Sequence, residues 1–453
     1  MEDRSYLGKE NIGTLLRKFA IPSIVAMLVS ALYNIVDQYF IGHKVGNLGI
    51  AATNVAFPLN TMCTSMALLV GIGCSSIFNI TMGKGNKDKA TFYYGNGAVL
   101  LFLEGLILTV VTQFFLTPML IFFGSPDNVL EYARQYTSIT SFGFPFLVYS
   151  VGGGHLVRAD GSPTFAMICN LTGAIINTIL DAIFLNVLGM GMEGAAIATV
   201  IGQICAAGMV FNYMRKCKSI NLKLEHLRLR FVYMKDIVKL GIGPFSNQLA
   251  MLVVQIVLNN SLNKYDTISG PGEAIPLAVA GIITKVNMLY MSVVIGLSQG
   301  MQPIASFNFG AGNYDRVKQV YKLVLKCGLI ASVIAFTIFQ VFTLPIIKAF
   351  GEGSQAYYDF ATKYFHIYLF FTFANCIQPA SSTLFTSIGD SVKGAFLSLT
   401  RQTLFLLPLI AILPLFMGMD GIMFAGPIAD FMAAVVAIVM VKISFKKLQN
   451  RKA

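Results

Sequence analysis

The sequence has no tryptophan, only four histidines and few charged residues. Asp, Glu, Lys and Arg together make up 12% of the 453 residues, roughly half the share that is usual in soluble domains. Hydrophobic residues make up 55%. This scarcity of charge excludes an ordinary soluble fold and predicts an all-α membrane protein. Without tryptophan, any aromatic belt at the membrane surfaces must consist of Tyr and Phe.

Motifs for metal binding and for enzyme chemistry are also missing from the sequence. The seven cysteines are scattered and form no CxxC pair, which argues against a disulfide framework or a zinc site. The histidines lack metal-ligand spacing, and no GxxxxGK[ST] loop for ATP hydrolysis occurs. Paired aspartate-rich motifs of membrane prenyltransferases are absent as well. We therefore expect neither enzyme activity nor a cofactor.

A net charge of +12 raises the question of nucleic acid binding. The Lys and Arg residues lie in short segments between apolar runs, without a basic stripe and interleaved aromatics on a soluble domain. Basic segments of this kind are typical of cytoplasmic loops in membrane proteins. The sequence therefore predicts no nucleic acid partner, and a multi-pass topology in which both termini face the cytoplasm.

Twelve runs of about 20 apolar residues, each long enough to cross a bilayer as a helix, are separated by turn signals. We predict spans at residues 16–41, 48–80, 91–116, 131–153, 163–187, 193–214, 236–262, 275–307, 318–343, 357–380, 394–416 and 421–443. The first run is too long for a signal peptide and lacks a cleavage site, so we expect it to be retained as span 1.

Three short motifs recur at a spacing of 227 residues, which indicates an internal repeat. The recurrences are GKGNKDKA at 83–90 and GAGNYDRV at 310–317, TPMLIFFG at 117–124 and LPIIKAFG at 344–351, and GMEG at 191–194 and GMDG at 418–421. Such a repeat predicts two six-helix bundles of equal orientation, as in many secondary transporters. We predict a first lobe at 1–214, a basic cytoplasmic linker at 215–235 and a second lobe at 236–453.

Polar residues inside the predicted spans concentrate in the first lobe. Asp37 late in span 1, Asp181 late in span 5 and Thr199 early in span 6 share a depth in the outer half of the bilayer. Asn170 and Asn177 lie on the helical face of Asp181, at spacings of seven and four. Oxygen ligands around buried carboxylates suit a proton or a small cation such as Na⁺ at Asp37 and Asp181. The alternative is that each side chain only bonds a neighbouring helix.

The second lobe lacks these acids, so the predicted ion site is asymmetric. Asn259 lies at the position of Asp37 when Pro22 is aligned with Pro244, and the repeat spacing places Pro408 at the position of Asp181. Both Pro22 and Pro244 favour helix bends that move or open a cavity.

Four other charged residues within the predicted spans leave alternatives open. Lys285 either attracts anionic or lipid head groups or holds a conformational ion pair. Glu104 and Asp430 either line a pathway or join a salt bridge or amide network. Arg401 is expected to snorkel to the cytoplasmic surface.

The sequence resembles the multidrug and toxic compound extrusion (MATE) transporters over essentially its whole length. The resemblance depends on the twelve spans in two repeats, LYNIVDQYFIG in span 1, NTILDAIFLNVLG in span 5 and GLSQGMQPIASFNFGAGNYDRV after span 8. It is strongest with the bacterial branch that concentrates its acids in the N-terminal lobe. Members of the family export organic cations and other amphipathic drugs in exchange for inward H⁺ or Na⁺.

The resemblance implies roles for particular residues. The cation or proton site would comprise Asp37, Asn177, Asp181 and Thr199, and span 1 would bend at Pro22. The other branch of the family carries acids in spans 7 and 10, where this chain has amides, so no second cation site is expected. We expect the substrate cavity to include Tyr33, Ser30, Lys285, Gln255 and Asn259.

The resulting hypothesis is a monomeric H⁺- or Na⁺-driven multidrug antiporter in the bacterial inner membrane. Its two lobes would give alternating access to small-molecule drugs or organic cations, with membrane lipids as the other partners. The rival hypothesis is a flippase for lipid-linked oligosaccharides, because related families share the two-bundle architecture. Such flippases place several basic residues in the central cavity, whereas here only Lys285 is a clear basic residue in mid-span.

Overall fold

The computed structural model describes residues 4–269, 275–350 and 354–450, and these residues form helices and no strands. Ten helices in this part are long and apolar enough to cross a membrane. Spans 4 and 10 complete the predicted twelve as helices that are broken in the middle. The all-α membrane fold predicted from the composition and the repeat is thus confirmed.

The helices follow the predicted spans closely. Spans 1 to 3 are Ile12–Lys44, Asn47–Gly83 and Lys87–Phe114, span 4 is Asp127–Thr140 and Phe144–Ala159, span 5 is Pro163–Asp181, and span 6 is Gly191–Met214. Spans 7 to 9 are Phe231–Ser269, Ile275–Gly310 and Tyr314–Val341, span 10 is Gln355–Tyr368 and Ile377–Ser387, span 11 is Ser391–Leu399 and Leu407–Met417, and span 12 is Met419–Asn450. Short helices at Tyr6–Lys9, Leu116–Phe122 and Thr343–Phe350 flank them.

Each lobe has one span broken by a 3₁₀ turn and one widened by a π-helical turn. The 3₁₀ turns are Ser141–Gly143 in span 4 and Phe370–Ala374 in span 10, at equivalent positions of the repeat. The π turns are Ala182–Val187, directly after Asp181, and Thr400–Leu406 in span 11. π turns are frequent at functional sites. The charged residues beside these two turns are therefore candidate functional residues.

Side chains from neighbouring spans hydrogen-bond backbone carbonyls at the two breaks. In the first lobe, Thr109 donates to the Ser141 carbonyl at 2.7 Å and the Gln113 amide donates to the Ser138 carbonyl at 2.7 Å. In the second lobe, Gln340, which is the repeat equivalent of Gln113, donates to the His366 carbonyl at 3.2 Å. Non-helical backbone inside a membrane needs such partners because no water is available there.

The linker folds against the first lobe. Asn96 of span 3 donates to the His226 carbonyl at 3.2 Å, and its side-chain oxygen accepts from the Arg230 N–H at 2.8 Å. After span 4, buried Asp160 accepts from the N–H of Lys218 at 2.7 Å. The linker is therefore held by hydrogen bonds along its length, and span 7 begins at Phe231, inside the segment predicted as linker.

The first and last described helices have their outer ends, near residues 7 and 445, on the same side of the bundle, which we call the terminal side. The Leu7 carbonyl accepts from Asn308 at 2.9 Å and from Arg316 at 3.1 Å, and the Phe445 ring packs 5.6 Å from the Tyr321 ring. Residue 7 therefore contacts the end of span 8 and the start of span 9, and residue 445 contacts the first turns of span 9. An even number of spans requires this arrangement.

The two lobes contact each other closely on the terminal side through glycines. A Cβ atom built on Gly241 of span 7 would lie 1.7 Å from the Leu69 carbonyl oxygen of span 2. One on Gly310 of span 8 would lie 2.0 Å from the Ile80 carbonyl oxygen. Nearby, the Gln302 amide donates to the Ser75 hydroxyl at 2.7 Å. Only glycine permits this backbone approach, so the lobe contact depends on these positions.

Candidate ion and substrate site

Two buried aspartates from different spans face each other in the first lobe. Asp37 of span 1 is 8% exposed and Asp181, the last residue of the α-helical part of span 5, is fully buried. Their carboxyl groups lie within hydrogen-bonding reach of each other. Neither residue forms a salt bridge within the described part of the chain. The structure thus places the two predicted acids side by side.

An amide and a hydroxyl border the carboxylate pair. The Asn177 side-chain amide donates to the Thr199 hydroxyl at 3.2 Å, and that hydroxyl donates to the Ala195 carbonyl at 2.9 Å. Spans 5 and 6 approach each other closely at this level. A Cβ atom built on Gly202 of span 6 would lie only 3.0 Å from the Asn177 Cβ of span 5. The four residues of the predicted site therefore share one location.

Four oxygen atoms of this cluster have no hydrogen-bond donor within the described part of the chain. They are one carboxylate oxygen of Asp37, both carboxylate oxygens of Asp181 and the amide oxygen of Asn177. Buried oxygens of this kind carry a large desolvation cost unless a positive or donor group meets them. Two buried carboxylates in contact also repel each other when both are ionised. These four oxygen atoms fit a proton shared between the two acids, or a small cation such as Na⁺ that they would coordinate.

Two tyrosines adjoin the cluster, and only one of them was predicted. Tyr33, one turn before Asp37, approaches the Thr199 side chain and interacts electrostatically with both acids. Tyr136 from the outer half of span 4 does the same and is buried. Tyr136 lies in the outer helix of span 4, before the break at Ser141–Gly143, and no polar pattern in the sequence marked it as part of the site.

The other residues predicted for the substrate cavity are more dispersed. Ser30 is exposed, and its carbonyl accepts from the Asn34 amide at 2.7 Å. In the second lobe, the Gln255 amide donates to the Asn259 side-chain oxygen at 3.0 Å, and both residues are half-buried. Lys285 is exposed and has no acidic partner among the described residues, so the ion pair considered for it is not formed.

The prolines predicted to bend helices lie within continuous α-helix. The helix of span 1 runs through Pro22 from Ile12 to Lys44, and span 7 runs through Pro244 from Phe231 to Ser269. Neither proline breaks its helix. The observed breaks lie in spans 4 and 10, for which no bend was predicted.

Arg401 does not snorkel as predicted, because it forms a buried ion pair. Its guanidinium contacts the Asp430 carboxylate of span 12, and the two side chains are only 17% and 6% exposed. Tyr290 and Tyr368 from spans 8 and 10 lie near this pair. The alternative of a salt bridge, left open for Asp430, is thus the one that the structure shows. Glu104, by contrast, keeps one buried carboxylate oxygen without a donor.

We expect the Arg401–Asp430 pair to matter for stability. Asp430→Asn should lower the free energy of unfolding by about 3–5 kcal/mol, because it leaves a buried guanidinium uncompensated. Arg401→Met combined with Asp430→Leu should recover most of that loss. Thermal unfolding of detergent-purified protein can be followed by a thiol-reactive dye, since the seven cysteines are free and four of them are buried.

A second ion pair in the same lobe provides the control. Lys363 and Asp420 pair at 2.6 Å, but their side chains are 52% and 42% exposed. Asp420→Asn should therefore cost less than about 1 kcal/mol. Equal losses of stability from Asp420→Asn and Asp430→Asn would show that burial does not distinguish the two pairs.

Comparisons with known proteins agree with this architecture. The MatE family model matches residues 22–183 and again residues 251–412, one match in each lobe. The multidrug export protein MepA of Staphylococcus haemolyticus (strain JCSC1435) is 24% identical, over 97% of this chain and 95% of its own. MepA of Staphylococcus aureus (strain N315) is 25% identical, over 97% and 96% of the two chains.

Solved structures of the same fold cover nearly the whole chain. An outward-facing conformation of a multidrug resistance MATE family transporter gives a TM-score of 0.91 at 20% identity, covering 99% of both chains. A MATE structure in the straight conformation gives a TM-score of 0.92 at 20% identity, covering 99% of this chain and 100% of the other. At this identity the likeness establishes the fold.

Proposed function

Because this chain belongs to the MatE family, we propose that it is a multidrug exporter driven by an inward flow of H⁺ or Na⁺. The MepA relatives are named multidrug export proteins, and the cargo that we propose for this chain is organic cations or other amphipathic drugs. The proposed location is the bacterial inner membrane, with the terminal side facing the cytoplasm and the protein acting as a monomer. The concentration of Lys and Arg in the terminal segments supports this orientation.

The single observation that carries the proposal is the contact between buried Asp37 and Asp181. With three carboxylate oxygens and one amide oxygen lacking donors, the cluster needs positive charge to be stable in the membrane. A proton, Na⁺ or a cationic drug can supply that charge, and they compete for the same oxygens. Competition of this kind is the chemical basis of exchange.

The lobe contacts support alternating access. The lobes meet on the terminal side, at Gly241 against Leu69 and at Gly310 against Ile80. Toward the opposite side, Ser30 and Asn34 on span 1 are exposed. This state would have its cavity open to the exterior, and the drug-loading state would require the glycine contacts to separate.

The proposed cycle follows from the charge of the cluster. In the inward-open state, the ionised acids attract a cationic drug. After the lobes rearrange, H⁺ or Na⁺ arriving from outside neutralises the acids and the drug leaves. One charge crossing 100 mV supplies about 2.3 kcal/mol and one pH unit about 1.4 kcal/mol. For an uncharged drug, these two terms together permit roughly a 500-fold gradient for each proton. Exchange of one proton for one monovalent cationic drug moves no net charge, so the pH term alone drives it and permits roughly a tenfold gradient per pH unit.

The second lobe offers few free basic side chains, which makes the flippase alternative less favourable than the exporter. A cavity that binds a lipid-linked diphosphate needs several basic side chains, whereas Arg401 is already occupied by Asp430. Lys285 remains available. Loss of lipid diphosphate binding in Lys285→Ala, with drug efflux absent from the parent protein, would support the flippase over the exporter.

A liposome experiment tests the exporter proposal and identifies the ion. Purified protein is reconstituted, a cationic dye is the cargo, and a pH gradient or a Na⁺ gradient is imposed separately. We expect dye movement against its gradient under one of the two conditions and none after the ion gradient is collapsed. Absence of movement under both gradients, in protein that still binds the dye, would refute the antiporter proposal.

A further inference from the structure

A groove of about 560 Å³ lies in the second lobe on the terminal side, remote in sequence from the carboxylate pair. It is formed by the start of span 7, the turn before span 11 and the end of span 12. The side chains that matter for binding are Lys239, Asp390, Lys393, Ser444 and Lys447. None of these residues belongs to the proposed ion or drug site.

The groove carries an excess of positive charge. Lys393 pairs with Asp390, so these two charges cancel. Lys239 and Lys447 are exposed, and neither has an acidic partner in the described ranges. Two lysines from different spans thus remain free at one cavity, which favours an anionic ligand.

A buried hydroxyl without a partner gives independent evidence for a ligand. Ser444 lines the groove, is only 6% exposed, and its hydroxyl has no hydrogen-bond partner among the residues that the structure describes. A buried hydroxyl normally has one, so this group is available to donate to an anion. Helix Ser391–Leu399 also begins at the groove, and the Asp390 side chain caps only the Lys393 N–H among its first amides. This N-terminus is thus already capped by a carboxylate, and the positive charge available to a ligand comes from Lys239 and Lys447.

Apolar side chains beside the groove identify the source of the anion as lipid. Val392 lines the groove and is 74% exposed, and Phe396, one turn further along the same helix, is 46% exposed. Exposed apolar side chains next to a charged groove are suited to contact acyl chains below a lipid head group. A ligand with a phosphate next to an apolar body matches both parts of the surface.

We propose that this groove binds the phosphate head group of an anionic phospholipid in the leaflet on the terminal side. Lys239 and Lys447 would neutralise the phosphate, Ser444 would donate a hydrogen bond to it, and Val392 would contact the lipid body. The proposal is independent of which drug or ion the protein carries.

The test compares lipid binding to variants of the full-length protein. Detergent-purified protein is titrated with phosphatidylglycerol or phosphatidylcholine and examined by native mass spectrometry. Lys239→Gln combined with Lys447→Gln should weaken binding of the first phosphatidylglycerol about tenfold, since each lysine near an anionic lipid contributes appreciably. Ser444→Ala should weaken it further, and phosphatidylcholine should bind weakly throughout.

The same end of span 12 offers a matched control. Lys442 and Lys446 are exposed and do not line the groove. Lys442→Gln combined with Lys446→Gln removes the same charge and should change phosphatidylglycerol binding less than twofold. Equal weakening by the two lysine pairs, or equal binding of the two lipids, would overturn the proposal.

A third arm separates lipid from soluble phosphate. Millimolar inorganic phosphate is added to the parent protein before the lipid. We expect phosphatidylglycerol to stay bound, because phosphate lacks the apolar body that contacts Val392. Displacement of the lipid by phosphate, together with phosphate binding that the Lys239 and Lys447 substitutions abolish, would reassign the groove to a soluble anion and overturn the lipid proposal.

Discussion

Asp37→Asn and Asp181→Asn should each abolish ion-driven drug accumulation, lowering the gradient sustained by one imposed pH unit by about tenfold. Asparagine has the shape of a protonated aspartic acid but cannot gain or lose the proton. Each substitution therefore fixes one member of the buried pair in a neutral state. Dye efflux from reconstituted liposomes, measured with and without the ion gradient, reports the loss directly.

The effects of the two substitutions on drug accumulation should not add. Because the carboxyl groups contact each other, removing either charge already ends the competition between ion and drug. The double variant should thus be little worse than either single one. Additive losses would indicate two independent sites instead of one shared site.

Glu104→Gln is the matched control for the aspartate variants. Glu104 is another acid in the membrane, on span 3, and it also has a buried oxygen without a donor. It does not belong to the cluster of spans 1, 5 and 6. Efflux should therefore persist in Glu104→Gln. If Glu104→Gln lost as much accumulation as Asp37→Asn, the contact between Asp37 and Asp181 would not explain coupling.

Gly241→Ala combined with Gly310→Ala should nearly eliminate transport by preventing the lobes from meeting on the terminal side. The added Cβ atoms would lie 1.7 Å and 2.0 Å from backbone carbonyl oxygens of the first lobe. Backbone atoms cannot rotate away as a side chain can, so the lobes must separate. Helix strength cannot account for a loss, because Ala favours helix by about 1 kcal/mol over Gly.

The measurement follows the distance between the lobes. Spin labels replace Lys84 in the first lobe and Lys322 in the second, two exposed residues on the terminal side. The label distances should shift toward longer values in the glycine variant, and dye efflux should fall in parallel. Loss of efflux without a change in distance would contradict the proposed closure.

Two other helical glycines serve as controls. Gly208 of span 6 and Gly281 of span 8 have nothing near the position of an added Cβ. Gly208→Ala combined with Gly281→Ala should leave efflux and label distances close to those of the parent. If this control variant lost as much efflux, the loss caused by the Gly241 and Gly310 substitutions would come from reduced helix flexibility and not from the lobe contact.

The sequence predicted the spans and the repeat because both depend on local patterns. A run of about 20 apolar residues has few alternatives to a membrane helix. The 3₁₀ breaks at Ser141–Gly143 and Phe370–Ala374 were not predicted. They depend on hydrogen bonds from other spans, such as Thr109 to Ser141, which no local pattern contains.

The ion site was predicted in outline and is incomplete without the structure. Depth along the spans was enough to place Asp37 and Asp181 at one level of the membrane. Depth gives no rotation about the helix axis, so it did not show that the carboxyl groups touch or that Tyr136 joins them. The site assignments themselves remain predictions, which the variants above will test.

The sequence by itself determined an all-α membrane protein with twelve spans, a twofold repeat and acids concentrated in one lobe, because hydrophobic length and repetition are written along the chain. Only the tertiary structure decided which side chains pair. Arg401 appeared to be a residue that reaches the membrane surface, yet it contacts Asp430 of the next span. Pairing depends on how helices rotate and pack against each other, and that packing is settled by the whole bundle.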